Sequence, residues 1–204
     1  RRSQLNDVVY QEKLGSYGDK VGRLKKIVFY IADRLALREE RKALGEAADI
    51  CKLDLLTEMV KEFPSLQGTV GGLYAREEKY PGLIWKAIYE HYLPQGSGDP
   101  VPGNAAGRIL SLADKLDAVV GSFGMGIQVT GSKDPYGLRR DAQGVCRIIL
   151  EKKINLSFDL LLKRIIRIYG DVFSKNKEDV FEACQEFFRG RLHFIFSKMG
   201  YRYD

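Results

Sequence analysis

Residues 105–123, AAGRILSLADKLDAVVGSF, set Ile109, Leu112, Leu116, Val119, Val120 and Phe123 at spacings of mostly three and four. That spacing follows the 3.6-residue helical turn and puts the six side chains on one face. The same period recurs along the chain. Residues 21–37 carry Leu24, Ile27, Val28, Ile31 and Leu35. Residues 46–63 carry Leu53, Leu56, Met59, Val60 and Phe63, and Pro64 stops them. Segments 66–78, 82–93, 135–152, 157–169 and 177–199 read as further helices. In 66–78 the glycines Gly68, Gly71 and Gly72 weaken helix propensity and point to close backbone approach. Asn176 reads as the N-cap of the last helix, with acids in its first turn. Only VVYQ, residues 8–11, hints at a strand. The expected fold is all-α. A main helical domain covers residues 1–152, and past the polar turn Lys152–Ser157 a helical segment covers 153–204.

What the chain excludes follows from its make-up. With 204 residues and 45% hydrophobic side chains it can bury a sizeable core. No apolar run approaches the roughly 18 residues that cross a bilayer. The start, RRSQLNDVVYQEKL, has no apolar stretch of a secretion signal and no initiating Met. It reads as a piece of a longer, cytoplasmic protein. Cys51, Cys146 and Cys184 are widely spaced in apolar surroundings, which suits buried reduced thiols. The net charge of +6 permits a polyanionic partner without demanding one.

Few residues offer chemistry. His193, within LHFIF, reads as a packing residue. His91 closes AIYEHYLP on the face of Ile84 and Ile88. Asp114 and Asp117 in ADKLD stand three apart on roughly one side of a helix, a spacing open to metal binding, acid–base work or plain solvation. Residues 130–140, TGSKDPYGLRR, lead from Thr130-Gly131-Ser132 through Lys133, Asp134 and Pro135 to Arg139 and Arg140. Three cations offered from a loop and a helix start suit phosphate oxygens, and Tyr136 suits stacking on a base. Equally, Asp134 could cap the helix while Arg139 or Arg140 pairs with Asp114 or Asp117. Lys20, Arg23, Lys25 and Lys26, and Lys163, Arg164 and Arg167, read as solvated helix faces. Arg76 and Lys79 add weaker basic positions.

AIYEHYLP followed by ADKLD resembles the later half of the HD superfamily of metal-dependent phosphohydrolases. That resemblance singles out His91, Asp114 and Asp54 as vestigial site positions. The family's His-Asp doublet is absent, since residues 48–59 read ADICKLDLLTEM, and no His precedes His91. Without those ligands a hydroxide-generating metal centre cannot be assembled. The expectation is an HD-like fold with no metal and no catalytic residue of its own.

A longer resemblance spans residues 5–204. VVYQEKLGSYGDKVGR, CKLDLLTEMVKEFPSLQGTVGGLYA, AIYEHYLP, ADKLDAVVGSFGMG, TGSKDPYGLRR and FFRGRLHFIFSKMGYRYD, in that order, closely resemble the β subunit of bacterial-type tetrameric glycyl-tRNA synthetases. The resemblance implies a parent glycine–tRNA ligase whose α subunit holds ATP, Mg and glycine, with no cofactor in this piece. It implies tRNA-Gly and the α subunit as partners, with residues 153–204 leading toward a C-terminal anticodon-binding region that begins near FFRGRLHFIFSKMGYRYD. On this reading Lys133, Tyr136, Arg139, Arg140 and Arg76 are the RNA-binding candidates, expected on the acceptor-end side. Two other readings stand beside it: a live phosphohydrolase using His91, Asp114 and Asp54, and an assembly module that never meets RNA.

Overall fold

The structure, a computed structural model, describes residues 2–127, 129, 133, 134 and 136–201. Thr130, Gly131, Ser132 and Pro135 of the basic segment lie outside the described residues. The chain is all-α except for one two-stranded ribbon among the described residues. Strands β1 (Val9–Gln11) and β2 (Gly15–Ser16) pair antiparallel, with Val9 opposite Ser16. The chain divides into two compact units, residues 1–114 and 115–204.

In the first unit, α1 (Tyr17–Arg34) starts at a capping box. The Asp19 amide donates to Ser16 Oγ at 3.1 Å, and the Ser16 amide donates to Asp19 Oδ2 at 2.8 Å. These bonds satisfy amides that the first helical turn leaves open, and they hold the Asp19 carboxyl below its ordinary value. Leu24, Ile27, Val28 and Ile31 bury one face of α1, which packs on α2 (Arg41–Ile50). Helices α4 (Thr69–Glu77) and α5 (Gly82–Glu90) pack closely because Gly72 has no side chain. A Cβ there would stand 2.5 Å from Tyr89 Cβ and 2.7 Å from its Cα. Gly68 stands in the left-handed region, with φ of 80°, under the Tyr92 ring. The glycines of 66–78 therefore serve close approach.

One expected helix is broken. Residues 46–63 do not run through: α2 ends at Ile50, a short 3₁₀ turn covers Leu53–Leu56, and α3 covers only Glu58–Glu62. Tertiary hydrogen bonds outbid helical propensity here. The Asp54 carboxylate turns to the Gly68 amide at 2.6 Å and the Gly71 amide at 3.3 Å. The Asp54 carbonyl accepts from the Thr57 amide and hydroxyl, and Thr57 then caps α3. Met59 and Phe63 consequently face solvent rather than a core.

Helix α6 (Ala105–Gly124) gives its first residues to one unit and its last to the other. It is buried nearly all round, from Ala106 to Val120, as a core helix must be. In the second unit, α9 (Lys177–Lys198) packs on α7 (Leu138–Glu151) and on α8 (Phe158–Tyr169). Asn176 caps α9 by accepting from the Glu178 amide at 2.8 Å. His193 is exposed on α9.

Candidate functional site

Where α2 ends, the chain turns inward and carries Lys52 into the interior of the first unit, 1% exposed. Its Nζ donates to Asp114 Oδ2 at 2.8 Å, to Tyr92 Oη at 2.7 Å and to His91 Nε2 at 3.0 Å. Lys20, from α1, approaches the other carboxylate oxygen, with Nζ 3.0 Å from Asp114 Oδ1. His91 Nδ1 lies 2.6 Å from the Ile88 carbonyl. An ammonium can only donate, so Nε2 accepts and the proton sits on Nδ1, which donates to Ile88.

The electrostatics follow from this packing. Burial alone would raise the Asp114 carboxyl, but the Lys20 and Lys52 ammoniums outweigh it and hold the group far below the carboxylate range. Burial alone would lower Lys52, and Asp114 reverses that, so Lys52 stays charged. The Tyr92 phenol is raised, chiefly by burial. Asp54 is raised as well: desolvation of its buried carboxyl outweighs the Gly68 and Gly71 amides and the Lys52 charge.

The positions that the HD resemblance singles out are partly assembled. Lys52 bridges His91 and Asp114, while Asp54 is tied to the backbone of Gly68 and Gly71. This donor set does not fit a catalytic metal. Ammonium groups already occupy His91 Nε2 and both Asp114 oxygens, and two buried cations would repel a third. Among the described residues no three His, Cys, Asp or Glu side chains converge as a metal set. Asp117 belongs to a different cluster, in the second unit, where Tyr169 Oη donates to its carboxylate at 2.8 Å and to its carbonyl at 2.7 Å. The three thiols are buried and pushed up to about 12 by desolvation, so they are poor nucleophiles.

The basic segment is built differently. Helix α7 begins at Leu138, not at residue 135, because the Asp134 carboxylate accepts the Leu138 amide at 2.7 Å and the Arg139 amide at 3.0 Å. Gly137, with φ of 68°, makes the bend between cap and helix. Lys133, Tyr136 and Arg140 are exposed and Arg139 is half-buried. Among the described residues no ion pair engages the side chains of Lys133, Arg139 or Arg140. Asp114, an imagined counter-ion for them, is taken by Lys20 and Lys52. Arg76, in the first unit, is exposed, faces Glu77 at 3.1 Å and lies 5.9 Å from the Trp85 ring.

The basic runs are not uniformly solvated. Lys20 and Arg23 are buried, Arg23 donating to the Leu14 carbonyl at 3.1 Å, and Lys25 pairs with Asp49 at 2.7 Å. Lys163, Arg164 and Arg167 are exposed on α8, as their spacing implied. Sequence reasoning missed Lys20, Lys52 and Tyr92 as site residues. The signal for Lys52 was present: it stands in the stretch where the HD family would place its doublet.

Fold and sites together define an all-α domain that holds some of its cations sealed in the interior and displays others at a helix start. The chain belongs to the glycyl-tRNA synthetase beta subunit family, whose profile matches residues 1–204. It is 41% identical over 204 residues to the glycine–tRNA ligase beta subunit of Halalkalibacterium halodurans, covering 98% of this chain and 29% of that protein. It is 42% identical over 201 residues to that of Clostridioides difficile, with 98% and 29% covered. It is 43% identical over 204 residues to that of Desulfitobacterium hafniense, with 98% and 30% covered. The chain therefore spans about three-tenths of the length of these relatives. Among the described residues no helix is long and apolar enough to cross a membrane.

Proposed function

We propose that this chain serves a glycine–tRNA ligase as an HD-like, non-catalytic helical body that binds tRNA-Gly on its acceptor-end side. The observation that carries the proposal is the start of α7. Asp134 satisfies two of the open amides and so fixes the turn, while Lys133, Arg139 and Arg140 keep their charges uncommitted among the described residues. Cations held this way can meet backbone phosphates without first breaking internal pairs. Exposed Tyr136 adds a stacking face, and Arg76 adds a weaker contact because Glu77 already answers its charge. Activation of glycine, with ATP and Mg, falls to a partner α subunit in the cytoplasm. The corner around Lys52 supports a non-hydrolytic reading, because its lone pairs are spent on ammonium groups.

The test is fluorescence anisotropy of labelled tRNA-Gly across a salt series, with wild-type chain and with Lys133→Ala, Arg139→Ala and Arg140→Ala combined. Wild type should bind with a steep salt dependence. The triple variant should weaken, and its slope of log K against log salt should flatten by about 2. Equal affinities and slopes would sink the proposal and leave the chain as an assembly module.

A further inference from the structure

A cleft of about 390 Å³ opens in the first unit beside the broken 46–63 segment. Its apolar walls include Ile50, Leu53, Leu56 and Ala75. Tyr74 and Tyr80 line it, Tyr74 being 47% exposed, and the Glu78 carboxylate stands in the lining as well. Asp54 lines the same cleft and is itself only 2% exposed. Its Oδ2 is spent on the Gly68 and Gly71 amides. Its Oδ1 is buried and has no hydrogen-bond partner among the described residues. A buried acceptor without a donor is costly, and such orphans call for an explanation.

We propose that this cleft is a binding site for a small organic cation, a primary ammonium or guanidinium group carried on a short aliphatic stem. Each wall argues for a part of that ligand. The unpartnered Asp54 oxygen needs a donor, and a charged donor makes the stronger bond. The Glu78 carboxylate adds a second negative charge, and the tyrosine rings add faces for a cation. The aliphatic walls match a methylene stem. The volume is that of a small-molecule pocket. Other ligand classes fit worse. No lysine or arginine lines the cleft among the described residues, so a phosphate would meet two carboxylates and no cation to offset them. A divalent metal would lack a third ligating side chain. An apolar guest would leave the Asp54 oxygen unsatisfied. Reaching that oxygen requires the lining side chains to part, which the exposed rim residues Tyr74 and Glu78 permit.

The test is calorimetric titration of the intact chain with 1,5-diaminopentane, agmatine and Nα-acetyl-lysine N-methylamide, with 1-pentanol as the neutral control. The cations should bind and pentanol should not. Asp54→Asn keeps an oxygen for the Gly68 amide and turns the unpartnered atom into a donor. It should weaken cation binding at least about tenfold. Tyr74→Ala should weaken it about threefold. Stronger binding of the capped lysine than of the diamine would assign the site to a side chain of another protein, and the reverse order to a free amine. Pentanol binding as well as the cations, no binding by any cation, or an Asp54→Asn chain that binds like wild type would overturn the proposal. Should Asp54→Asn lose its helical circular dichroism, Tyr74→Ala with Glu78→Gln takes its place. Unchanged cation binding by that pair would overturn the proposal equally.

Discussion

Lys20 and Lys52 in the first unit and Lys133, Arg139 and Arg140 in the second are the same kind of charge put to opposite uses. The first two are 3% and 1% exposed and share one carboxylate, Asp114. Desolvating an ion costs several kcal/mol, so Lys52 stays charged only because Asp114, Tyr92 and His91 receive it, while Lys20 rests on the other oxygen of Asp114. They are structural, and any other anion would have to displace Asp114. In the second group Lys133 and Arg140 are exposed and Arg139 is half-buried, and none has an ion pair among the described residues. The comparison teaches that a lysine's availability for a polyanion is set by what has already been taken out of water around it. Composition and net charge do not reveal it.

The largest test of this contrast is Asp114→Asn. It leaves two buried ammoniums without the carboxylate they share, and should cost at least about 3–5 kcal/mol by urea unfolding. Lys52→Met should cost less, about 1–3 kcal/mol, because the Lys20–Asp114 pair survives and only hydrogen-bond acceptors lose their donor. The reverse ranking would show that Lys52, not Asp114, organises the corner. Acid comes next. Asp114 is depressed in the folded chain, so its contribution is complete above the ordinary carboxylate value of about 3.9 and drains away as pH falls below it. Unfolding midpoints followed from pH 7 to 3 should drop steeply at the acid end in wild type and much less in Asp114→Asn. The displayed cations predict smaller effects on stability. Asp134→Ala removes the acceptor of two amides and should cost about 1 kcal/mol, seen as a lower thermal midpoint. The triple alanine variant of Lys133, Arg139 and Arg140 should change stability by no more than about 0.5 kcal/mol. A larger loss would mean that these side chains are structural after all.

Much of this protein was legible locally. The apolar periods of α1, α5, α6, α8 and α9 and the Asn176 cap depend on residues within a few turns of one another. The broken 46–63 segment was not legible, because its break is made by bonds from Asp54 to amides at residues 68 and 71. Nor was the sorting of the cations. Lys20, with its neighbours, read as one more basic helix face, while His91 and Asp114 stood out as a truncated metal motif.

By itself, then, the order of residues determined an all-helical chain of the glycyl-tRNA synthetase beta subunit family and, outside 46–63, which helices carry which apolar face. Only the tertiary structure decided that Lys52 enters the corner between His91 and Asp114, that Asp114 and Asp117 serve separate clusters, and that one oxygen of Asp54 is left without a partner beside an open cleft. The physical reason is range. A helix closes its bonds four residues away, so its pattern is written in adjacent turns. A buried charge is satisfied by whatever the fold brings to it, here across 62 residues from Lys52 to Asp114.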